Sequence, residues 1–147
     1  MIGIAEDEFL ISYKDYPITV GSLYRLQELG KEQLRIASFS RRNGEMVYRK
    51  IKKITKLAHK PCTTLRSGAQ SIRMADEQEV MMANGSFKAA NQLVPMDTLA
   101  LQNGFWGLLR FGESATLYAI EMEEGDNFAV TTIHRHGRVT ILKSLVV

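Results

Sequence analysis

Apolar and polar positions alternate along this chain in short runs, broken by Gly, Asn-Gly and Pro, and that rhythm predicts strands. Phe9-Leu10-Ile11-Ser12-Tyr13 reads as a strand, Lys14-Asp15-Tyr16-Pro17 as a turn, and Pro17-Ile18-Thr19-Val20 as the next strand. Gly21-Ser22 is placed to cap a short helix over 23–29, which Gly30 stops. Strands are then expected at 34–39, 62–65, 69–74, 79–83, 86–88 and 98–101, with Asn43-Gly44 and Asn84-Gly85 as hairpin turns. Residues 116–122 alternate strictly, with Leu117, Ala119 and Glu121 on one face and Tyr118, Ile120 and Met122 on the other. Segments 128–134 and 138–147 form a final hairpin about Arg135-His136-Gly137.

One stretch is ambiguous. Val47, Ile51, Ile54 and Ala58 fit a helical face, and 47–57 also fits a long twisted strand. The neighbouring Asn-Gly turn favours the strand. Many short strands with turns about ten residues apart argue one all-β domain over 1–147, a curved arrangement of twisted strands with at most two short helices.

Length and composition agree with that reading. A chain of 147 residues supports one core, and 45% hydrophobic with 24% charged residues is ordinary for a globular protein. No apolar run reaches the roughly 18 residues a membrane helix needs. The N-terminus turns acidic at Glu6-Asp7-Glu8 and lacks a basic n-region, which argues against a secretory signal. A single cysteine, Cys62, excludes an internal disulfide. The cytoplasm, or a virion assembled in a host cytoplasm, is the expected location.

Charge changes the picture mainly by where it falls. Net charge is only +3, yet 41–60 holds eight of the nineteen Lys and Arg: Arg41, Arg42, Arg49, Lys50, Lys52, Lys53, Lys56 and Lys60. Such a cluster suits an acidic protein partner, nucleic-acid phosphates, or the charged edge that keeps a long strand from aggregating.

The order of motifs resembles the Hint family, the self-processing domain of inteins and hedgehog proteins. Asp7-Glu8-Phe9-Leu10-Ile11 and Pro17-Ile18-Thr19-Val20-Gly21-Ser22-Leu23 look like its opening. Residues 75–99 are similar to its middle motif: a strand, Asn84-Gly85, a strand, Ala90 then Leu93, and Asp97 before Leu99, with Met96 where the family has Gly. Leu117-Tyr118-Ala119-Ile120-Glu121-Met122 and Asp126-Asn127-Phe128-Ala129-Val130 resemble its late strands. The resemblance spans nearly the whole chain and implies a flattened horseshoe of twisted strands, with 138–147 as a C-terminal strand beyond the family core.

The resemblance also says what chemistry to look for. In the family the first residue is a Cys or Ser that attacks its own preceding carbonyl. A Thr-x-x-His holds the scissile amide and protonates the leaving nitrogen. A closing His-Asn cyclises to cut the downstream bond. Here Met1-Ile2-Gly3-Ile4-Ala5 offers no nucleophile before Ser12, and a chain opening on Met leaves no upstream segment to release. Met74-Ala75-Asp76-Glu77-Gln78 has neither Thr nor His, and the closing pair falls near His136-Gly137, where glycine cannot cyclise. No splicing or autoproteolysis is expected.

Other candidates are weaker. Cys62 reads as a small buried residue. His59, Cys62, His134 and His136 lack a zinc site's spacing, so no metal or cofactor is expected. Glu6, Asp7 and Glu8, with Glu121, Glu123 and Glu124, read as solvated turn charges. Phe105 and Trp106, in a run apolar on both faces, suit an interface, as do Arg138, Lys143, Leu145 and Val147 in the last strand. The expected function is a non-catalytic assembly component on a Hint-like scaffold, with a phage or viral virion as its setting and other protein subunits as partners. The alternative is an intein-type splicing domain, inactive in this form. A nucleic-acid-binding module through Arg41, Arg42, Arg49, Lys50, Lys52, Lys53 and Lys56 is the third.

Overall fold

The computed structural model describes residues 2–13, 15–31, 33–67, 70–101, 107–109, 114–132 and 139–146. Among the described residues, thirteen strands join in one curled antiparallel sheet. Its order is β10 (Gly107–Leu109), β6 (Thr63–Ser67), β7 (Gln70–Met74), β1 (Ile4–Ala5), β11 (Ser114–Met122), β5 (Glu45–Pro61), β4 (Arg35–Ser40), β2 (Phe9–Ser12), β12 (Asn127–Thr131), β13 (Val139–Lys143), β8 (Glu79–Met81) and β9 (Phe87–Ala89). Strand β3 (Tyr16–Thr19) pairs with β2 outside that path. One helix, α1 (Val20–Glu28), and a single 3-10 turn, Ala90–Gln92, complete the described elements. This is the expected all-β horseshoe.

The ambiguous basic stretch is a strand of 17 residues. Its first half pairs with β4 and its second half with β11, and the β11 register slips twice. Each slip inserts an extra residue, bends the strand and re-aims its side chains. So long a strand carries the sheet around its curve. Ile54 is buried at its middle.

Strand β11 has the two faces its alternation predicts, and both of them meet protein. Leu117, Tyr118, Ala119, Ile120 and Met122 are all buried. Tyr118, Ile120 and Met122 join the main core with Ile4, Leu10, Ile36, Ile54, Met74 and Phe128, while Leu117 packs with Ala5, Cys62, Ala75 and Ala115. The strand sits between two apolar layers, so its alternation separates one core from another and not core from water.

Three local expectations change. The helix cap is Thr19, whose hydroxyl accepts from the Ser22 amide at 3.2 Å. Gly21 and Ser22 lie inside the first turn. Residues 98–101 form no strand; Leu99 makes an isolated bridge to Met82. Strand β1 has no signal of its own, being two residues long.

The last strand is not a free edge. β13 lies between β12 and β8, with Thr140, Ile141 and Leu142 buried. The neighbours that pair with it come from this domain. No helix among the described residues is long and apolar enough to cross a membrane.

Candidate functional site

Both ends of the domain run to one buried side chain. Strand β1 pairs with β11 and β7, which carries Gly3 to the loop following β7. There the Gly3 carbonyl accepts from the Ala75 amide at 2.9 Å, and the Gly3 amide donates to Gln78 Oε1 at 3.0 Å. Gln78 is 2% exposed. Its Nε2 donates to the Lys143 carbonyl at 2.9 Å and to the Glu79 carbonyl at 3.2 Å. One side-chain amide thus uses its oxygen on the N-terminal segment and both its protons elsewhere, one of them on the C-terminal strand. An N–H needs an acceptor and a carbonyl needs a donor, so the amide has only one orientation here.

The loop that presents Gln78 is tied down independently. The Gln78 amide bonds the Ala75 carbonyl at 3.0 Å, and the Gln78 carbonyl accepts from Ala90 at 2.8 Å. Thr63 Oγ1 donates to the Asp76 carboxylate, and the Asp76 carbonyl accepts from Asn91 at 2.9 Å. Beyond β13, the Ser144 amide donates to the Asp126 carbonyl at 2.9 Å and the Leu145 amide to the Ile120 carbonyl at 2.8 Å. Ile2, Gln78, Glu79, Lys143, Ser144, Leu145 and Val146 enclose a cleft of about 200 Å³. Residues from both ends of the chain line it.

Against the three stations that the resemblance implies, the occupants are specific. Gly3, in the stretch expected to hold the nucleophile, has φ 148°, a conformation that side chains rarely adopt. A Cβ added there would lie 3.1 Å from Leu57 Cδ1 and 3.1 Å from the Tyr118 carbonyl oxygen. At the spacing of Thr-x-x-His stand Ala75 and Gln78. His136-Gly137, the expected third station, lies outside the described residues; the C-terminal segment lines the cleft with Lys143, Ser144 and Leu145.

Lys143 and Leu145, expected at an interface, are partly exposed and line this cleft. Lys143 pairs with Glu79 at 3.2 Å and lies 5.6 Å from the centre of the Phe87 ring. Arg41 covers the same ring at 5.1 Å and holds the Asp126 carboxylate with two contacts of 2.8 Å. That guanidinium, with the Asn127 side chain, keeps the Asp126 carboxyl below its usual range against the opposing effect of burial.

The rest of the basic cluster does not converge. Arg49 is committed to Ser38 Oγ at 3.0 Å, and Lys52 pairs with Glu121 at 3.7 Å. Lys53 lies across from Glu121, Lys56 across from Tyr118, and Lys50 across from Arg35. Arg42 is exposed in the β4–β5 turn. Phe105, Trp106, Arg138, Val147, His134 and His136 fall outside the described residues. Cys62 is buried, its Sγ 3.4 Å from the Lys60 carbonyl, and burial pushes its thiol up, away from thiolate chemistry. His59 is exposed, with Nδ1 3.4 Å from Thr116 Oγ1.

Of the acids expected as solvated turn charges, Asp7 is exposed as expected, while Glu8 is partly buried. Asp7 holds the Arg73 guanidinium at 2.6 Å, and Glu8 accepts from the Arg73 amide at 3.3 Å. Burial, aided by the Asp7 charge and opposed by Arg73, pushes the Glu8 carboxyl up to about 7. The sequence offered no sign of this, because burial of residue 8 depends on β7.

No protein-family model matches the chain, nor does any curated protein. Solved structures do. The crystal structure of a DnaB intein from Synechocystis sp. PCC 6803 is similar with a TM-score of 0.77 at 11% identity, covering 99% of this chain and 100% of that one. The TvoVMA intein gives 0.72 at 14% identity over 96% of each chain. The solution structure of a bacterial intein-like domain from Clostridium thermocellum gives 0.71 at 10% identity, over 98% of this chain and 99% of that one. These neighbours overturn the expected virion assembly component: they are inteins and an intein-like domain, and the expected phage or viral setting has no support among them. From β1 to the cleft at Lys143-Ser144, this chain has the Hint fold of inteins.

Proposed function

We propose that the chain is an intein-type Hint domain that keeps the splicing architecture without the splicing chemistry. The observation that carries this reading is Gln78, which binds the Gly3 amide and the Lys143 carbonyl at once. That contact brings the two ends of the domain to one point, as a splicing domain must. The chemical groups differ. Gly3 has no side chain to attack the Ile2 carbonyl. Gln78 can hold an amide N–H but cannot protonate a leaving nitrogen, because its own amide does not titrate near neutral pH. Ser144 has no carboxamide to cyclise.

The test is a fusion with reporter domains at both ends, followed by intact-mass spectrometry. The unaltered chain should stay whole. A Gly3→Cys, Ala75→Thr, Gln78→His variant, shown to be folded by circular dichroism, should release the N-terminal reporter at the 2–3 bond when thiol is added. Crowding at Leu57 and Tyr118 should make release slow. Self-cleavage of the unaltered fusion would overturn the inactivity. A folded triple variant that stays inert to thiol would overturn the assignment of the junction.

A further inference from the structure

A second cleft, sharing no residue with the first, lies between α1, the β2–β3 hairpin and the start of β4. Its volume is about 540 Å³, within the range of small-molecule sites. Ile18, Leu23, Leu26 and Leu34 make its walls, and Tyr13 and Arg35 stand at its mouth. Leu23 is buried, while Tyr13 is 60% exposed. The apolar lining is thus a lined hollow and not a flat patch.

Arg35 brings a positive charge to the mouth, and Lys50, outside the lining, is its neighbour across the β4–β5 pair. Arg35 in β4 is directly opposite Lys50 in β5, so the two side chains project from the same face of the sheet. Like charges directly opposite each other repel. Among the described residues no ion pair joins either of them to an acid; the acids within reach of cations pair with Arg41, Lys52, Arg73, Lys88 and Lys143 instead. An anion seated at this mouth would relieve the repulsion. A ligand that also filled the walls behind it would bury apolar surface of its own.

We infer that this cleft binds a small amphipathic organic anion, an acyl or aryl carboxylate whose apolar body lies against Leu23, Leu26 and Leu34 and whose carboxylate meets Arg35 and Lys50. A neutral analogue gains only the apolar half of that contact. A small carboxylate without a tail gains only the exposed ion pairs, which water and salt weaken.

The experiment uses the full chain and three probes: octanoate, octanol and acetate. Amide and side-chain NMR shifts are followed as each is titrated. Octanoate should shift Tyr13, Leu26 and Arg35 in a saturable way, and octanol should bind at least about fivefold more weakly. Acetate should leave the walls unmoved. Arg35→Gln should reduce octanoate affinity to that of octanol, and Leu26→Trp should abolish both. Each variant is checked for native dispersion in the same spectra. Absence of saturable shifts at about 1 mM octanoate, equal affinity for octanol, or full affinity in a folded Arg35→Gln variant would each overturn the inference.

Discussion

The Gly3 amide donates to Gln78 Oε1 at 3.0 Å across 75 residues of sequence, inside the core. The contact matters because Gln78 is buried and satisfies three backbone groups at once. Removing its side chain would take that bond from each of them. Gln78→Ala is expected to cost about 3 kcal/mol in urea unfolding and to expose the Gly3 amide to hydrogen exchange. Gln78→His retains a ring nitrogen for Gly3 and should cost less. A loss below about 0.5 kcal/mol for Gln78→Ala would show that the clamp is not structural.

The Glu8 carboxyl supplies a pH prediction. Its folded value, about 7, lies above the ordinary 4.5. A raised acid binds its proton more tightly when folded, so this contribution is fully present below 4.5 and is lost as pH rises through about 7. The neighbouring Asp7 adds to the raise, while Arg73 opposes it. Stability measured across that window should fall by about 2 kcal/mol. Glu8→Gln should flatten the profile, and an unchanged profile in that variant would place the titration elsewhere.

Two glycines in turns separate backbone strain from collision. Gly44 has φ 68° and open space where a Cβ would sit, whereas Gly125 has φ 76° and the Arg49 guanidinium in that space. Gly44→Ala is expected to cost about 1 kcal/mol, the penalty of a left-handed residue. Gly125→Ala should cost more, since Arg49 must also leave Ser38. Equal thermal shifts for the two variants would show that Arg49 moves aside freely.

Truncation after residue 138 should unfold the domain. It removes β13, and with it the partner of both β12 and β8, the buried Thr140, Ile141 and Leu142, and the carbonyl of Lys143 that Gln78 holds. The expected result is loss of NMR dispersion. A truncated chain with native spectra would mean that the horseshoe is complete without its last strand.

Local chemistry was legible in the residues themselves. Asn43-Gly44 and Asn84-Gly85 mark turns because Gly44 and Gly85 adopt the positive φ, at 68° and 86°, that the turn demands. Residues 116–122 and 128–130 announce strands by period and branching, and the order of those motifs along the chain was enough to resemble the Hint family. What it could not convey is which strand meets which. Alternation puts Leu117 and Ile120 on opposite faces of β11, but only the curled sheet puts protein on both sides, so that each enters a core. Glu8 looks like any turn acid until β7 buries it. Gln78 looks like an unremarkable polar residue after a loop, and Lys143-Ser144 like a strand end. They become one site because β1 and β13 approach the β7–β8 loop from opposite ends of the chain. Turns and strand periods depend on neighbours a few residues away, and so they are written in the sequence. The cleft depends on hydrogen bonds closed over 75 and 65 residues, which only the assembled sheet decides.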